Sequence, residues 1–338
     1  MKKILLVATG GTIASTETEL GLAPSIDALQ ILSLIPEVGE VCQLSGVSVM
    51  SIDSTNMNPS RMIKIAETIH EEYEHYDGFV VTHGTDTMGY TAAALSYMLQ
   101  YIKKPVAITG SQIAIEALYT DAKKNLSDAI RFACEDFAGV VVVFDGKVIS
   151  GTHAVKVKTK STDSFKSINL PTVAYIKLGK ITYNSELDHK EHRENVDLHM
   201  SNTYQLKTNL CEDIIILKIY PGMKPDIFDD IKVKYKGVII ESFGIGGIPN
   251  ENHDIVSKIQ ELVNAGLAVV ISTQCLYEGI DLNIYAVGQK LAKQKLIFAG
   301  DMTTEAITMK LMWALANCRS FESIKDFMET PIFADRSY

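Results

Sequence analysis

Cysteine is scarce in this 338-residue chain: Cys42, Cys134, Cys211, Cys275 and Cys318 are an odd number at wide, irregular spacing. No Cys-x-x-Cys pair occurs, so neither a disulfide framework nor a cysteine zinc site or redox motif is encoded. Reduced thiols in the cytoplasm fit this usage. Long apolar runs are also missing. None approaches the roughly 18 residues of a membrane span, which excludes a transmembrane helix. Met1-Lys2-Lys3 followed by Ile4 to Ala8 opens like a signal peptide. Thr9-Gly10-Gly11-Thr12 then interrupts the apolar stretch well short of the about 7–15 residues an h-region needs, so export is not expected. Basic charge is in deficit, with 32 Lys and Arg against 41 Asp and Glu, a net charge of −9 and no basic block. A surface that grips nucleic acid through its phosphates is therefore disfavoured. Small molecules or other subunits are the expected partners.

What is present is an ordinary globular mixture, 46% hydrophobic and 22% charged, long enough for two domains at about 100–200 residues each. Short apolar runs at Lys3 to Ala8, Ser48 to Ile52, Gly78 to Val81, Pro105 to Thr109 and Val140 to Phe144 read as strands. Between them Ser25 to Ile35, Pro59 to Tyr73, Gly89 to Tyr101 and Asp121 to Phe137 read as helices. Asp145-Gly146 signals a tight turn into Lys147 to Ile149. This alternation predicts a doubly wound, mostly parallel α/β domain over residues 1–187. A polar linker is expected over 188–210, and a smaller α/β domain over 211–338, with strands near Ile214 to Ile219, Val238 to Ile240, Val269 to Ser272 and Leu296 to Ala299.

Two hydroxyl-rich loops follow strands of the first domain. Thr9-Gly10-Gly11-Thr12-Ile13-Ala14 leaves the first, at the carboxyl end where open α/β sheets bind ligands. It is no dinucleotide fingerprint, because Gly-x-Gly-x-x-Gly is absent. Thr82-His83-Gly84-Thr85-Asp86-Thr87-Met88 repeats the arrangement after Gly78 to Val81, offering hydroxyl groups, a carboxylate for an ammonium and backbone N–H groups for a developing oxyanion. Asp53-Ser54-Thr55 adds a third polar loop. Each has a plainer reading: a capped Gly-rich connection, a helix N-cap cluster, and an Asx turn. His189, His192 and His199 in the linker, and His70 with His75, invite a zinc reading. The linker has no accompanying cysteine and no His-Glu-x-x-His helix, so no metal is expected. Gly244-Ile245-Gly246-Gly247 has Pro249 where a nucleotide loop needs its third glycine.

On these residues the chain resembles bacterial L-asparaginases, closest to the cytoplasmic type I group. Thr-Gly-Gly-Thr-Ile-Ala at 9–14 and His-Gly-Thr-Asp-Thr-Met at 83–88 match the family's two motifs. Ile52-Asp53-Ser54-Thr55, Ile108-Thr109-Gly110-Ser111-Gln112, Lys156 nine residues before Phe165, Thr273-Gln274-Cys275 and Gly300-Asp301-Met302-Thr303 extend the likeness through nearly the whole chain. The resemblance implies a two-domain α/β fold and a homodimer or homotetramer with sites near subunit contacts. It implies hydrolysis of L-asparagine to L-aspartate and ammonia with no cofactor. Carried over by position, Thr12 is the nucleophile, and Thr85, Asp86 and Lys156 form a second catalytic group. Asp53, Ser54 and Thr55, with Thr85 and Asp86, bind the substrate.

Three departures stand out. Gly21-Leu22-Ala23-Pro24 carries no tyrosine where relatives often have one, and no tyrosine occurs before Tyr73, which leaves the activation of Thr12 open. Gly247 stands where many relatives have asparagine. Ala114 replaces a proline. Two other functions share the pattern: the ammonia-supplying subunit of a tRNA-dependent amidotransferase, which usually carries an additional N-terminal domain, and a non-catalytic amino-acid sensor. Some type I relatives bind an activating asparagine through an arginine whose place is taken here by Glu241. Repulsion between carboxylates predicts that no such activation occurs.

Overall fold

A computed structural model describes residues 1–18, 21–188, 202–281 and 295–337. The chain divides into two compact units, Met1–Thr208 and Asn209–Tyr338. The first contains β1 (Lys3–Gly10), β2 (Ser15–Thr18), β3 (Gly21–Pro24), α1 (Ala28–Ser33), β4 (Gln43–Ile52), α2 (Pro59–Glu71), β5 (Gly78–Thr82), α3 (Met88–Met98), β6 (Leu99–Gln100), β7 (Pro105–Thr109) and α4 (Ala122–Ala133). It continues with β8 (Gly139–Phe144), β9 (Lys147–Ser150), β10 (Ala154–Lys156), β11 (Phe165–Ser167), β12 (Ala174–Lys177), β13 (Lys180–Tyr183) and β14 (Gln205–Leu206).

The large sheet has the order β13-β12-β9-β8-β7-β5-β1-β4. Strands β4, β1, β5, β7 and β8 are parallel. Every residue of β5 and β7 is buried, as expected of strands covered by helices on both faces. Helix α4 supplies part of that cover through Ala122, Leu126, Ala129, Ile130 and Ala133, spaced three and four residues apart on one stripe.

The expected strand–helix alternation is observed, and so is the expected tight turn at Asp145-Gly146, with three local differences elsewhere. Asp145 and Gly146 both take positive φ, 51° and 73°, the geometry of a two-residue hairpin turn, so β9 runs antiparallel to β8 and starts the antiparallel edge completed by β12 and β13. The helix expected over Ser25 to Ile35 is only Ala28–Ser33, because Asp27 and Gln30 form a capping box at its start and Pro36 opens a separate 3-10 turn. Helix α3 stops at Met98; the chain then extends as β6, which pairs with Gln205–Leu206. The segment after the first glycine motif is an antiparallel hairpin, β2 with β3.

Topology places the crevice. From β1 the chain crosses to β4 on one side, then returns past β1 to β5 on the other. The reversal makes the carboxyl ends of β1 and β5 the switch point, where doubly wound sheets leave room for a ligand. Gly10, Ile52 and Thr82, the last residues of β1, β4 and β5, each lead into one of the three polar loops.

The second unit contains β15 (Ile214–Lys218), α5 (Ile227–Lys234), β16 (Gly237–Ser242), α6 (Ile255–Asn264), β17 (Ala268–Thr273), β18 (Ile297–Phe298), α7 (Thr304–Asn317) and α8 (Phe321–Glu329). Its four strands form a parallel sheet in chain order. The period of two along the strands divides its core: Val238, Ile240, Val269 and Ile271 face one apolar layer, Ile239, Ala268 and Val270 the other. Among the described residues no helix is long and apolar enough to cross a membrane.

A fully buried ion pair lies within this unit. Lys310 Nζ on α7 is 2.7 Å from Asp335 Oδ2, both side chains 0% exposed, and also donates to Thr330 O at 2.9 Å. Burial pushes the Lys310 pKa below its ordinary value, and Asp335 opposes the shift. Asp335→Ala leaves a buried amine without its counter-charge and is expected to cost about 3–5 kcal/mol, whereas replacing both partners by apolar residues of similar volume costs far less. Denaturant unfolding of Asp335→Ala and of Lys310→Met/Asp335→Leu checks this; equal losses would contradict it.

Candidate active site

The three loops are locked together through glycine. Gly10 and Gly11 take φ of 100° and 77°, which only glycine adopts without strain. A Cβ on Gly11 would lie 2.5 Å from Gly84 Cα, and one on Gly84 would lie 2.5 Å from Ser54 Oγ. Gly11 N donates to Ile52 O at 2.8 Å, and Ser15 Oγ donates to Gly11 O at 2.8 Å. Thr12 follows Gly11 and opens a 3-10 turn, Thr12–Ala14, with its own side chain half-buried. Thr85 follows Gly84. The two candidate threonines thus stand on touching turns.

Lys156, at the end of β10, joins them from a hairpin with β11 in which it faces Phe165. Its Nζ donates to Thr85 Oγ1 at 2.7 Å and to Asp86 Oδ1 at 2.6 Å. The Lys156 side chain is 18% exposed and that of Asp86 55%, so the pair opens to solvent on the carboxylate side. The N-cap reading of this loop is not how its polar groups are used. Thr87 occupies the N-cap of α3 without a capping hydrogen bond; its hydroxyl instead donates to Ser54 O at 2.8 Å. Asp53 behaves as the Asx-turn reading expects, with Oδ1 accepting from Thr55 N at 2.8 Å and Thr55 Oγ1 at 2.9 Å. Ser54 is buried against Gly84.

The other candidates do not enter this cluster. His70 Nδ1 meets the Tyr204 hydroxyl at 3.1 Å, and His75 Nδ1 meets Glu72 at 3.3 Å. His189, His192 and His199 lie outside the described residues. Among the described residues no three His, Cys, Asp or Glu side chains are grouped as metal ligands. In the Gly244–Gly247 turn, Phe243 N donates to Gly247 O at 2.9 Å and Thr273 Oγ1 donates to Gly244 O at 2.5 Å.

Comparison with known proteins gives the same picture over both units. Residues 3–189 match the family described as asparaginase, N-terminal, and residues 213–328 match the glutaminase/asparaginase C-terminal domain. An L-asparaginase of Thermococcus kodakarensis is 35% identical over 98% of this chain and 98% of its own. A solved L-asparaginase structure from that organism superposes with a TM-score of 0.91 at 34% identity, covering 99% of each chain. L-asparaginase I of Vibrio cholerae superposes at 0.87 with 28% identity, over 100% of this chain and 99% of that one. A glutamyl-tRNA(Gln) amidotransferase component of Pyrococcus abyssi is 35% identical over 98% of this chain and 76% of its own. Matches that run through both units make this an amidohydrolase. The chain belongs to the asparaginase family.

Sequence reasoning passed over one residue inside its own motif. His83 is wholly buried; Nδ1–H donates to Gly84 O at 2.7 Å, and Nε2, left as an acceptor, takes the Thr91 hydroxyl proton at 2.8 Å. Burial drives its pKa down to about 4, against the pull of the Gly84 carbonyl. A neutral ring therefore braces the Gly84–Thr85 peptide, and the hint in the sequence was a histidine at the mouth of a continuous apolar strand. An unfolded histidine takes up a proton near pH 6.5, whereas folded His83 does so only near pH 4. This contribution to stability is complete above about pH 6.5 and falls by about 3 kcal/mol as pH drops to about 4. Urea unfolding between pH 4 and 7 should show that slope, and His83→Gln should flatten it.

Proposed function

We propose that this chain is an L-asparaginase that hydrolyses L-asparagine to L-aspartate and ammonia through an acyl-enzyme on Thr12, without a cofactor. The observation that carries the reading is Lys156 Nζ held at 2.7 Å from Thr85 Oγ1 and 2.6 Å from Asp86 Oδ1, on the turn that touches the Thr12 turn. In the first half-reaction Thr12 Oγ bonds to the side-chain amide carbon, the C–N bond breaks, and the nitrogen leaves as ammonia with the hydroxyl proton. In the second, water bonds to the ester carbon, the Thr12 O–C bond breaks, and Thr12 recovers a proton. Thr85, Lys156 and Asp86 carry the protons between these partners. Asp86, with Asp53, Ser54, Thr55 and Thr85, holds the α-amino and α-carboxylate groups; its exposed carboxylate suits an ammonium.

A cytoplasmic setting is supported by five cysteines that are all free thiols. A homodimer or homotetramer is supported by Leu118 and Tyr119, 80% and 86% exposed on the loop between β7 and α4. A second reading, a component of a tRNA-dependent amidotransferase, is favoured by relatives of that name at 35% and 36% identity. Ammonia release from free asparagine by the purified chain alone separates the two, and separates both from a non-catalytic sensor.

Thr12→Ala should lower turnover by more than about a thousandfold. Brief acid quenching should trap an aspartyl adduct in the peptide containing Thr12; an adduct on Thr85 instead would exchange their roles. Asparagine should be preferred over glutamine, since a fixed amide must meet the nucleophile and one methylene displaces it. Equal specificity constants would refute that preference.

The rate should rise hyperbolically with asparagine. Glu241 Oε1 accepts from Thr304 Oγ1 at 2.7 Å, and burial, reinforced by Glu241, raises the pKa of neighbouring Glu305. An effector carboxylate meets like charge there, and without differential binding no conformational shift follows. Initial rates over a wide asparagine range decide this; a sigmoidal curve that Glu241→Arg leaves unchanged would place an effector site elsewhere.

A further inference from the structure

Gln112 is the third residue of the loop between β7 and α4 and touches two other loops of the crevice. Its Oε1 accepts from Thr85 Oγ1 at 3.5 Å, and its Nε2 donates to Ser161 O at 3.4 Å, in the turn between β10 and β11 that follows Lys156. The loop is firmly rooted. Asp121 accepts from Gln112 N and Ile113 N, both at 3.0 Å. Asn125, 1% exposed, donates to Asp121 Oδ2 at 3.1 Å and to Gly110 O at 3.0 Å.

Donor and acceptor roles then follow from chemistry. The Ser161 carbonyl can only accept, so the amide nitrogen of Gln112 faces it and the amide oxygen faces Thr85. That oxygen also can only accept, so the single hydroxyl proton of Thr85 points to Gln112. Thr85 Oγ1 is left with lone pairs toward Lys156, whose Nζ at 2.7 Å is the donor.

We propose that Gln112 is a positioning residue for the amide hydrolysis: it turns the Thr85 proton away from Lys156, so that the amine meets an acceptor and is aimed between Thr85 and Asp86. This rests on the reading of Thr85 and Lys156 as a proton relay. As Lys156 gives a proton to the departing nitrogen, the Thr85 proton swings from Gln112 to Lys156. The proton of the attacking hydroxyl replaces it on Thr85, so relay charge and proton count are unchanged. A contact of 3.5 Å sets the direction without locking it.

Kinetics of two variants test the assignment, with thermal unfolding as a check on folding. Gln112→Met loses both polar groups; kcat should fall about tenfold, the scale of one neutral hydrogen bond, with KM within about twofold. Gln112→Glu keeps the acceptor for Thr85 and loses the donor for Ser161; its kcat should stay within about threefold of the parent. Equal losses in the two variants would show that Gln112 only braces the Ser161 turn, and an unchanged kcat in Gln112→Met would also overturn the proposal. Failure of the parent chain to release ammonia would defeat the proposed function instead. Neutron diffraction from parent crystals still decides Gln112 in that case: a Thr85 deuteron directed at Gln112 Oε1 supports the assignment, and one directed at Lys156 Nζ overturns it.

Discussion

The close approach of two backbones, at Gly11 and Gly84, is the constraint on which the crevice depends. Strands β1 and β5 are hydrogen-bonded neighbours, so the loops leaving their carboxyl ends must separate or interlock. Here they interlock, because neither turn carries a Cβ at the point of contact and Gly11 adopts a φ that side chains resist. Each glycine is followed by a threonine, Thr12 or Thr85, to which the proposed mechanism gives a role. The spacing between Thr12 and Thr85 is therefore set by main chain, which moves less than side chains do. Buried His83 further restrains that turn through its bonds to Gly84 O and the Thr91 hydroxyl.

How far the sequence reveals this arrangement depends on the range of the interactions. The parallel core strands are legible because burial on both faces writes a continuous apolar run, as in Gly78–Thr82 and Pro105–Thr109. The edge is not. β12 alternates buried and exposed over four residues, and β10 and β11 have three residues each, too few for a period to register. Yet the β10–β11 hairpin delivers Lys156 to a carboxylate 70 residues earlier in the chain. Family resemblance pointed to Lys156, and periodicity did not.

Local chemistry shows the converse. Asp53, Ser54 and Thr55 read as an Asx turn, and Asp53 and Thr55 are bonded to one another in that way. Thr87 reads as an N-cap and sits at one, but its hydroxyl crosses to Ser54 O in another loop. A long-range partner displaced the local one because Gly84 admits Ser54 into the contact. Substituting any of these small residues therefore changes the register between loops and not only the turn in which it lies.

Two of the lysine–carboxylate contacts, Lys310–Asp335 and Lys156–Asp86, are nearly equal in length, yet their settings give them opposite capacities. Lys310 and Asp335, at 2.7 Å and without exposure, have exchanged water for each other and for fixed backbone partners. Separating them leaves charge in an apolar medium, so the pair is static. Lys156 and Asp86, at 2.6 Å, retain access to solvent, most of it on the carboxylate. Screening makes such a contact worth little to stability. The same screening lowers the cost of separating it, as the proposed turn of Asp86 to a substrate ammonium requires, while Lys156 keeps the Thr85 hydroxyl. The proposed relay must change partners within each turnover, and of these two pairs the half-open one can do so without destabilising the fold around it.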